Sequence, residues 1–523
     1  MPWEGGAPED VTPTFPSYSA FGGATSRASN LLAFRTIDAD GYGLVAVDLD
    51  ATGGSGEPRQ LHRDKRLFTP PVVSPTGEVV VVASTERTGR QHYNLIAFDV
   101  RTGERVGELW DGAEASVQSG SFAPPAPGMD GASALRLAGS SNRSGFKRPL
   151  VWYPGSGERR DLDVGSLDGD VIPLDWSANG NRLLLMQTSR ATQRLYLYDL
   201  RTDEMIALDH PAGSYGFFGS MGVYLGPGGE VVAQWSDSTH PPQVIAIDPV
   251  SGRQTRTLLP AGETPASRPL RSVTFASSDG QEIQGWLGVP DGSGPFPTIL
   301  HTHGGPEAVA TETFSPEAQT WLDHGFAFLT INYRGSITFG RAFQQQIWGN
   351  LGYWELEDMV AARDWLVQQG IADPDRILPS GRSYGGYLTL LALGKRPDLW
   401  AGGMASVAIS DWTMLYEDSP ETRGYCAALF GGTPDEKPEQ YAASSPITYA
   451  EAIRAPLLIL QERHDARTPA RPIEVYAERM RSLGKELELH WFETGHLGAV
   501  NAEQGIAYQE LMLAFAERVL GRS

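Results

Sequence analysis

The sequence predicts two architectures in one chain: a first half of repeated short strands, and a second half with a mostly parallel sheet covered by helices. Three observations predict this. Apolar strand-like runs, each ending at a turn, recur about every fifty residues before residue 260. After residue 270, strand-like and helix-like segments alternate. A stretch rich in Pro, Gly and Ala, residues 258–267, separates the two textures. At 523 residues the chain exceeds the size at which single cores stop growing, so two domains are expected, 1–265 and 266–523.

The repeated runs are Leu44-Val45-Ala46-Val47-Asp48, Leu95-Ile96-Ala97-Phe98-Asp99, Leu150-Val151-Trp152-Tyr153, Leu195-Tyr196-Leu197-Tyr198-Asp199 and Val244-Ile245-Ala246-Ile247-Asp248. Turn signals follow several of them, as in Arg101-Thr102-Gly103-Glu104 and Val250-Ser251-Gly252-Arg253. Five visible units of about four short strands each predict a β-propeller, either a small one or one with two further blades drifted beyond recognition, with a sandwich as the structural alternative.

In the second half, Phe296-Pro297-Thr298-Ile299-Leu300-His301-Thr302-His303 reads as a buried strand running into Gly304-Gly305-Pro306. Residues 325–332 form a further buried strand. Residues 355–368 carry a helical pattern with Met359, Ala362, Trp365 and Leu366 on one face, and Glu355, Glu357 and Asp358 at its start complement the helix dipole. A short strand then leads to Gly381-Arg382-Ser383-Tyr384-Gly385-Gly386-Tyr387, and an apolar helix follows.

Gly-x-Ser-x-Gly between strand and helix predicts a nucleophile elbow, in which a sharp turn lifts the serine hydroxyl out of the sheet. The glycines at 381 and 385 remove side chains that would block that turn. An acid and then a histidine should follow, each after a strand. The apolar run ending at Gln461 leads to Asp465, and the alternating run ending at Phe492 leads to His496. Ser383, His496 and Asp465 are therefore read as nucleophile, base and orienting acid. His464, His490, Glu462 and Glu493 are the rivals for the two supporting roles. Oxyanion donors are expected from the Tyr384 N–H and from Gly304 or Gly305. This order of parts predicts an α/β hydrolase fold preceded by the propeller. His301-x-His303 could be a metal pair, but no third ligand follows at suitable spacing, so neither metal nor cofactor is expected.

The second half resembles the prolyl oligopeptidase family of serine peptidases, nearest its acylaminoacyl-peptidase and aminopeptidase branch. The marks are Ser277-Ser278-Asp279-Gly280, His303-Gly304-Gly305-Pro306, Asn332-Tyr333-Arg334-Gly335-Ser336, the Ser-Tyr-Gly-Gly-Tyr elbow, Asp465-x-Arg467-x-Pro469 and Gly495-His496. A histidine at 303, where relatives often carry a tyrosine, resembles the acylaminoacyl-peptidase pattern, in which a glycine N–H serves the oxyanion. Gln461-Glu462-Arg463 departs from the His-Gly of many relatives. Nothing matches the Glu-Glu pair by which dipeptidyl relatives hold a free amine. The resemblance implies a propeller over the active face that admits only short or unfolded peptides. Substrate-pocket expectations fall on His303, Arg334 and a specificity loop with Trp412, Met414 and Tyr416.

A net charge of −21 argues against nucleic acid and against anionic membrane surfaces. The lone Cys426 suits a reducing cytoplasm. Residues 1–20 lack a basic start and an apolar run, so export is not expected. The readings are a cytoplasmic serine exopeptidase releasing a free or acylated N-terminal residue from short peptides, or an amidase or esterase acting on an acylated or aminoacylated small molecule. A propeller interaction module with a dead hydrolase is the third, and the intact triad argues against it.

Overall fold

The computed structural model describes residues 18–26, 28–38, 40–49, 56–125, 135–216, 222–498 and 501–522. Residues 1–17, most of the stretch read for a leader, lie outside them. Before residue 260 the described strands form five small antiparallel sheets, consecutive along the chain. The first holds Tyr18–Thr25, Leu31–Asp38, Gly41–Asp48 and Arg59–Asp64. The second holds Val72–Val73, Val79–Ser84, Asn94–Asp99 and Arg105–Leu109, and the third Val117–Phe122, Leu137–Ser141, Arg148–Trp152 and Arg159–Asp161. The fourth runs Asp170–Trp176, Arg182–Ser189, Thr192–Asp199 and Glu204–Ala207. The fifth has Ser214–Tyr215 and Val223–Leu225 both on Val231–Ser236, then Gln243–Ile247 and Gln254–Leu259. Each repeated run of the sequence lies in the penultimate strand of one sheet.

These sheets pack face to face in chain order. Side chains alternate across a strand, so Val80 and Val82 join the core shared with the first sheet, and Val79 and Val81 the core shared with the third. Leu183 and Leu185 likewise face the third sheet, while Leu184 and Met186 face the fifth. A strand sandwiched this way needs apolar residues on both faces, which is why these runs are continuous rather than alternating. The turns repeat too. Asp99 Oδ1 accepts from the N–H groups of Arg101 and Thr102 at 2.9 and 2.7 Å, and Asp248 Oδ1 from those of Val250 and Ser251 at 3.0 and 2.6 Å.

Residues 260–270 carry no regular structure. Beyond them lies one eight-stranded sheet. Its order is Arg271–Ala276, Glu282–Gly288, Ala327–Asn332, Phe296–Thr302, Ala372–Arg382, Gly403–Ser406, Leu457–Glu462, Leu487–Phe492. Glu282–Gly288 pairs antiparallel with both neighbours, and the strands from Ala327–Asn332 onward pair parallel. Helices cover both faces. Trp354–Gln368, Tyr384–Lys395 and Ala470–Ser482 pack on one, Pro316–Asp323 and Ala502–Val519 on the other. This is the α/β hydrolase fold. No helix among the described residues is long and apolar enough to cross a membrane.

Two local expectations are corrected. The segment expected as a specificity loop is a helix, Trp412–Asp418, capped by Asp411, whose carboxylate accepts from the N–H groups of Thr413 and Met414. Of the three acids at the start of Trp354–Gln368, only Glu357 stays partly exposed, paired with Arg396 at 2.7 Å. Glu355 and Asp358 are wholly buried with polar partners inside the fold.

The two halves touch at several places. Ser214 Oγ donates to the Glu312 carbonyl at 2.6 Å, the Arg341 N–H donates to the Gly145 carbonyl at 2.7 Å, and the Gly424 N–H donates to Tyr42 Oη at 3.1 Å. The His92 ring sits 5.0 Å from that of Trp348.

Candidate active site

Ser383 stands between the strand Ala372–Arg382 and the helix Tyr384–Lys395, with φ 58° and ψ −116°. A non-glycine residue holds a positive φ only when its surroundings force it. Close backbone crossing provides the force. A Cβ on Gly385 would lie 2.0 Å from the Thr302 carbonyl oxygen, and one on Gly381 would lie 2.5 Å from the Gly385 carbonyl carbon. No side chain fits at either place.

His496 follows the last strand, and Asp465 follows Leu457–Glu462. The imidazole Nε2 is 3.1 Å from Ser383 Oγ, and Nδ1 is 2.7 Å from Asp465 Oδ2. Asp465 also accepts from the Arg467 and Thr468 N–H groups and from the Thr468 hydroxyl, at 2.8, 2.9 and 2.6 Å. Burial works to raise its carboxyl, but the bonds from His496 and Thr468 outweigh it and hold the group below the ordinary carboxylate range. An ionised Asp465 only accepts, so Nδ1 carries the imidazole proton and Nε2 is left to accept from the serine.

Tyr384 is the first residue of its helix, so its N–H has no partner within the helix. Gly304 adjoins it: a Cβ there would lie 3.5 Å from Ser383 Cβ. Gly304 is held from behind by His303. The ring donates from Nδ1 to the Gly304 carbonyl at 2.7 Å, meets Ser336 Oγ through Nε2 at 2.9 Å, and stacks on Tyr333 at 4.4 Å. Burial pushes the imidazole down to about 4, so it stays neutral.

Other expected pocket residues lie elsewhere. Arg334 is fully buried, with its guanidinium shared among Asp358, Asp279 and Ser277 and its plane 3.8 Å from the Trp354 ring. It braces the sheet edge against Trp354–Gln368 and faces no opening. Trp412 is 1% exposed and packs on Tyr384, Tyr387 and Phe430. Met414 is half-buried on the same helix, and Tyr416 lines a groove with Tyr42, Pro420 and Arg423. Of the rivals, His464 pairs with Glu493, and His490 with Glu488, at the surface. His301 meets Thr330. Burial pushes the Cys426 thiol up to about 12, which leaves it un-ionised and inert.

Two groups beside the elbow gave no sequence signal. Arg382 Nη2 donates to the His496 carbonyl at 2.6 Å. Its guanidinium lies 3.9 Å from Glu462, a buried carboxylate that accepts from the Thr494 and Tyr508 hydroxyls. Glu355 accepts from Tyr384 Oη at 2.5 Å and from the Gly352 N–H at 3.0 Å. Both links join residues far apart in the chain.

Comparison with known proteins agrees with this geometry. The family model "Prolyl oligopeptidase family" matches residues 312–523, and an "Esterase FrsA-like" model matches 261–344. A dipeptidyl aminopeptidase BIII of Pseudoxanthomonas mexicana is 31% identical over 270 residues, 48% of this chain and 38% of that protein. The acylamino-acid-releasing enzyme of Rattus norvegicus is 26% identical over 363 residues, 64% of this chain and 48% of that one. The matches thus span less than half the length of these curated relatives. A crystal structure of puromycin hydrolase shares the fold across 99% of this chain and 82% of its own, with TM-score 0.81 at 22% identity. The elbow and the sheet order agree with the family match, which makes residues 312–523 of this chain similar to the prolyl oligopeptidase family.

Proposed function

We propose that the chain is a serine hydrolase that cleaves amide bonds of short peptides through an acyl-enzyme, as an exopeptidase releasing an N-terminal residue. The observation that carries the reading is the unbroken line from Ser383 Oγ through His496 to Asp465, set on a strained turn. Ser383 Oγ attacks the scissile carbonyl carbon as its proton passes to His496 Nε2. The oxygen, now negative, is received by the Tyr384 N–H and an N–H of Gly304 or Gly305. The C–N bond breaks as Nε2 returns the proton to the leaving amine. Water repeats the cycle on the ester, with its proton going to Nε2 and then to Ser383. Asp465 stays ionised throughout and holds the imidazole in its tautomer.

In this reading residues 1–265 form a propeller domain over the active face of a catalytic domain, 266–523, and limit entry to short peptides. The lone Cys426 suits work in a reducing cytoplasm. Relatives described as acylamino-acid-releasing enzymes and as a dipeptidyl aminopeptidase support peptide substrates. One observation favours a second reading, a small-molecule amidase or esterase: structures sharing the fold include puromycin hydrolases. Fold alone does not fix the leaving group.

The test is hydrolysis of free and N-acetylated aminoacyl p-nitroanilides by the wild type and by Ser383→Ala. The variant is expected to fold as the wild type does and to lose turnover by at least about a thousandfold. Undiminished hydrolysis by Ser383→Ala would overturn the mechanism. Silence on every anilide, with Ser383 still labelled by a fluorophosphonate, would favour the small-molecule reading.

A further inference from the structure

The two expected oxyanion donors come from separate segments of the chain, and one stack of rings joins those segments. His303, which precedes the glycine pair, stacks on Tyr333 with centroids 4.4 Å apart and planes 21° from parallel. Tyr333 stacks in turn on Tyr384, at 6.2 Å and 18°. The outer rings belong to the two donor segments. Tyr384 carries one donor N–H on its own backbone. The His303 ring holds the Gly304 carbonyl at 2.7 Å, and C=O and N–H point oppositely across a trans peptide, so the ring also fixes the direction of the Gly305 N–H. The middle ring comes from neither segment. Tyr333 stands just after the strand Ala327–Asn332.

Both ends of the stack are tied down. Tyr333 Oη donates to the His303 carbonyl at 2.7 Å, and Ser336 Oγ, three residues on, meets His303 Nε2 at 2.9 Å. At the other end Tyr384 Oη donates to Glu355 Oε1 at 2.5 Å, and Glu355 Oε2 accepts from the Gly352 N–H at 3.0 Å. The turn at Gly352 cannot retreat. With φ 83°, a Cβ there would lie 2.2 Å from Leu391 Cδ2 and 2.3 Å from Tyr387 Oη, both on the helix that follows Ser383. Tyr333, Tyr384 and Glu355 are 0%, 1% and 0% exposed. A close-packed interior transmits a change of thickness instead of absorbing it. The middle ring therefore sets how far apart the donor segments stand, and the carboxyl at the end keeps Tyr384 from sliding away.

We propose that Tyr333 and Glu355 are positioning residues for the oxyanion site, Tyr333 as the spacer between its two donor segments and Glu355 as the stop behind Tyr384. This rests on the serine hydrolase reading and deepens it. The test measures kcat and KM for p-nitrophenyl acetate, a small ester that asks little of a substrate pocket, together with the rate at which a fluorophosphonate labels Ser383. The phosphoryl oxygen of that probe takes the oxyanion's place, so its rate reads the same site without turnover. Tyr333→Leu and Glu355→Leu should each lower kcat and the labelling rate by about ten- to a hundredfold, with KM within about twofold. Tyr333→Phe keeps the ring and should stay within about threefold of the wild type. Tyr384→Phe leaves all three rings and cuts the tie to Glu355, so it carries the test should a leucine variant not fold, and it too should lower kcat with KM unmoved. Variants that melt as folded proteins and keep their kcat, or lose only in KM, would overturn the assignment. So would a Tyr333→Phe as slow as Tyr333→Leu. A wild type that the fluorophosphonate does not label overturns the serine reading itself, and the positioning roles with it.

Discussion

Glu355 lies beneath the elbow, cut off from water, and its carboxyl bears on Tyr384, the residue that follows Ser383. Burial raises its carboxyl to about 7, and the bonds from Tyr384 and Gly352 offset only part of that. In the unfolded chain a glutamate titrates near about 4.3. Folding therefore favours the protonated form. The stability this contributes is whole below the unfolded value and is lost as pH rises through about 7. Glu355→Gln stays neutral throughout. Between pH 5 and pH 8 its stability should gain on the wild type by roughly 2–3 kcal/mol, read by urea unfolding. A gap that does not move with pH would mean that the carboxyl is ionised in the fold at both. At this scale the sequence was informative where chemistry is local. Ser383, Asp465 and His496 each follow a strand, in the order an elbow demands, and that order set them apart from rivals such as His464 and Glu462. Glu355 and Arg334 could not be set apart in this way. What distinguishes them is burial against Tyr384 and Asp358, and charge in a sequence carries no sign of burial.

Between elements, one guanidinium joins the turn that holds Ser383 to the loop that holds His496. Arg382 ends the strand before Ser383 and donates to the His496 carbonyl, steadied by Glu462 from the strand that leads to Asp465. Gly498, with φ 76°, leaves the space the guanidinium occupies, since a Cβ there would lie 2.6 Å from Arg382 Nη2. Arg382→Met should lower kcat about tenfold or more while KM stays within about twofold, because the loop's position is lost and the binding surface is not. Arg382→Lys should recover part of the loss. A rise in KM alone would show that Arg382 touches substrate instead. Strand and helix order in this half was legible from hydrophobic period and glycine placement. The helix Trp412–Asp418 was not, because seven residues with two aromatics read equally well as a packed loop until Asp411 is seen capping them.

For the molecule as a whole, the first half behaves as a stack in which each sheet is stabilised by its neighbours. Such arrays lose order from their ends, since inner units have two partners and terminal ones fewer. Amide hydrogen exchange should be slowest in Val79–Ser84 and Arg182–Ser189, which are buried on both faces, and fastest in Gln254–Leu259, where every residue is exposed. Equal protection across the five sheets would mean that they open as one unit. The stack was legible as a repeat of apolar runs, although the runs do not say how many faces each covers. Their doubled apolarity has a cost in information. Where one face is wet, a slip of one residue turns oil toward water and is rejected. Here a slipped strand would still offer a hydrocarbon surface to both sides, so hydropathy is silent about alignment. The address of every residue must then be written in the turns. Asp99 and Asp248, each fastening the backbone just past its strand, are the fixed marks from which the adjoining strands are counted.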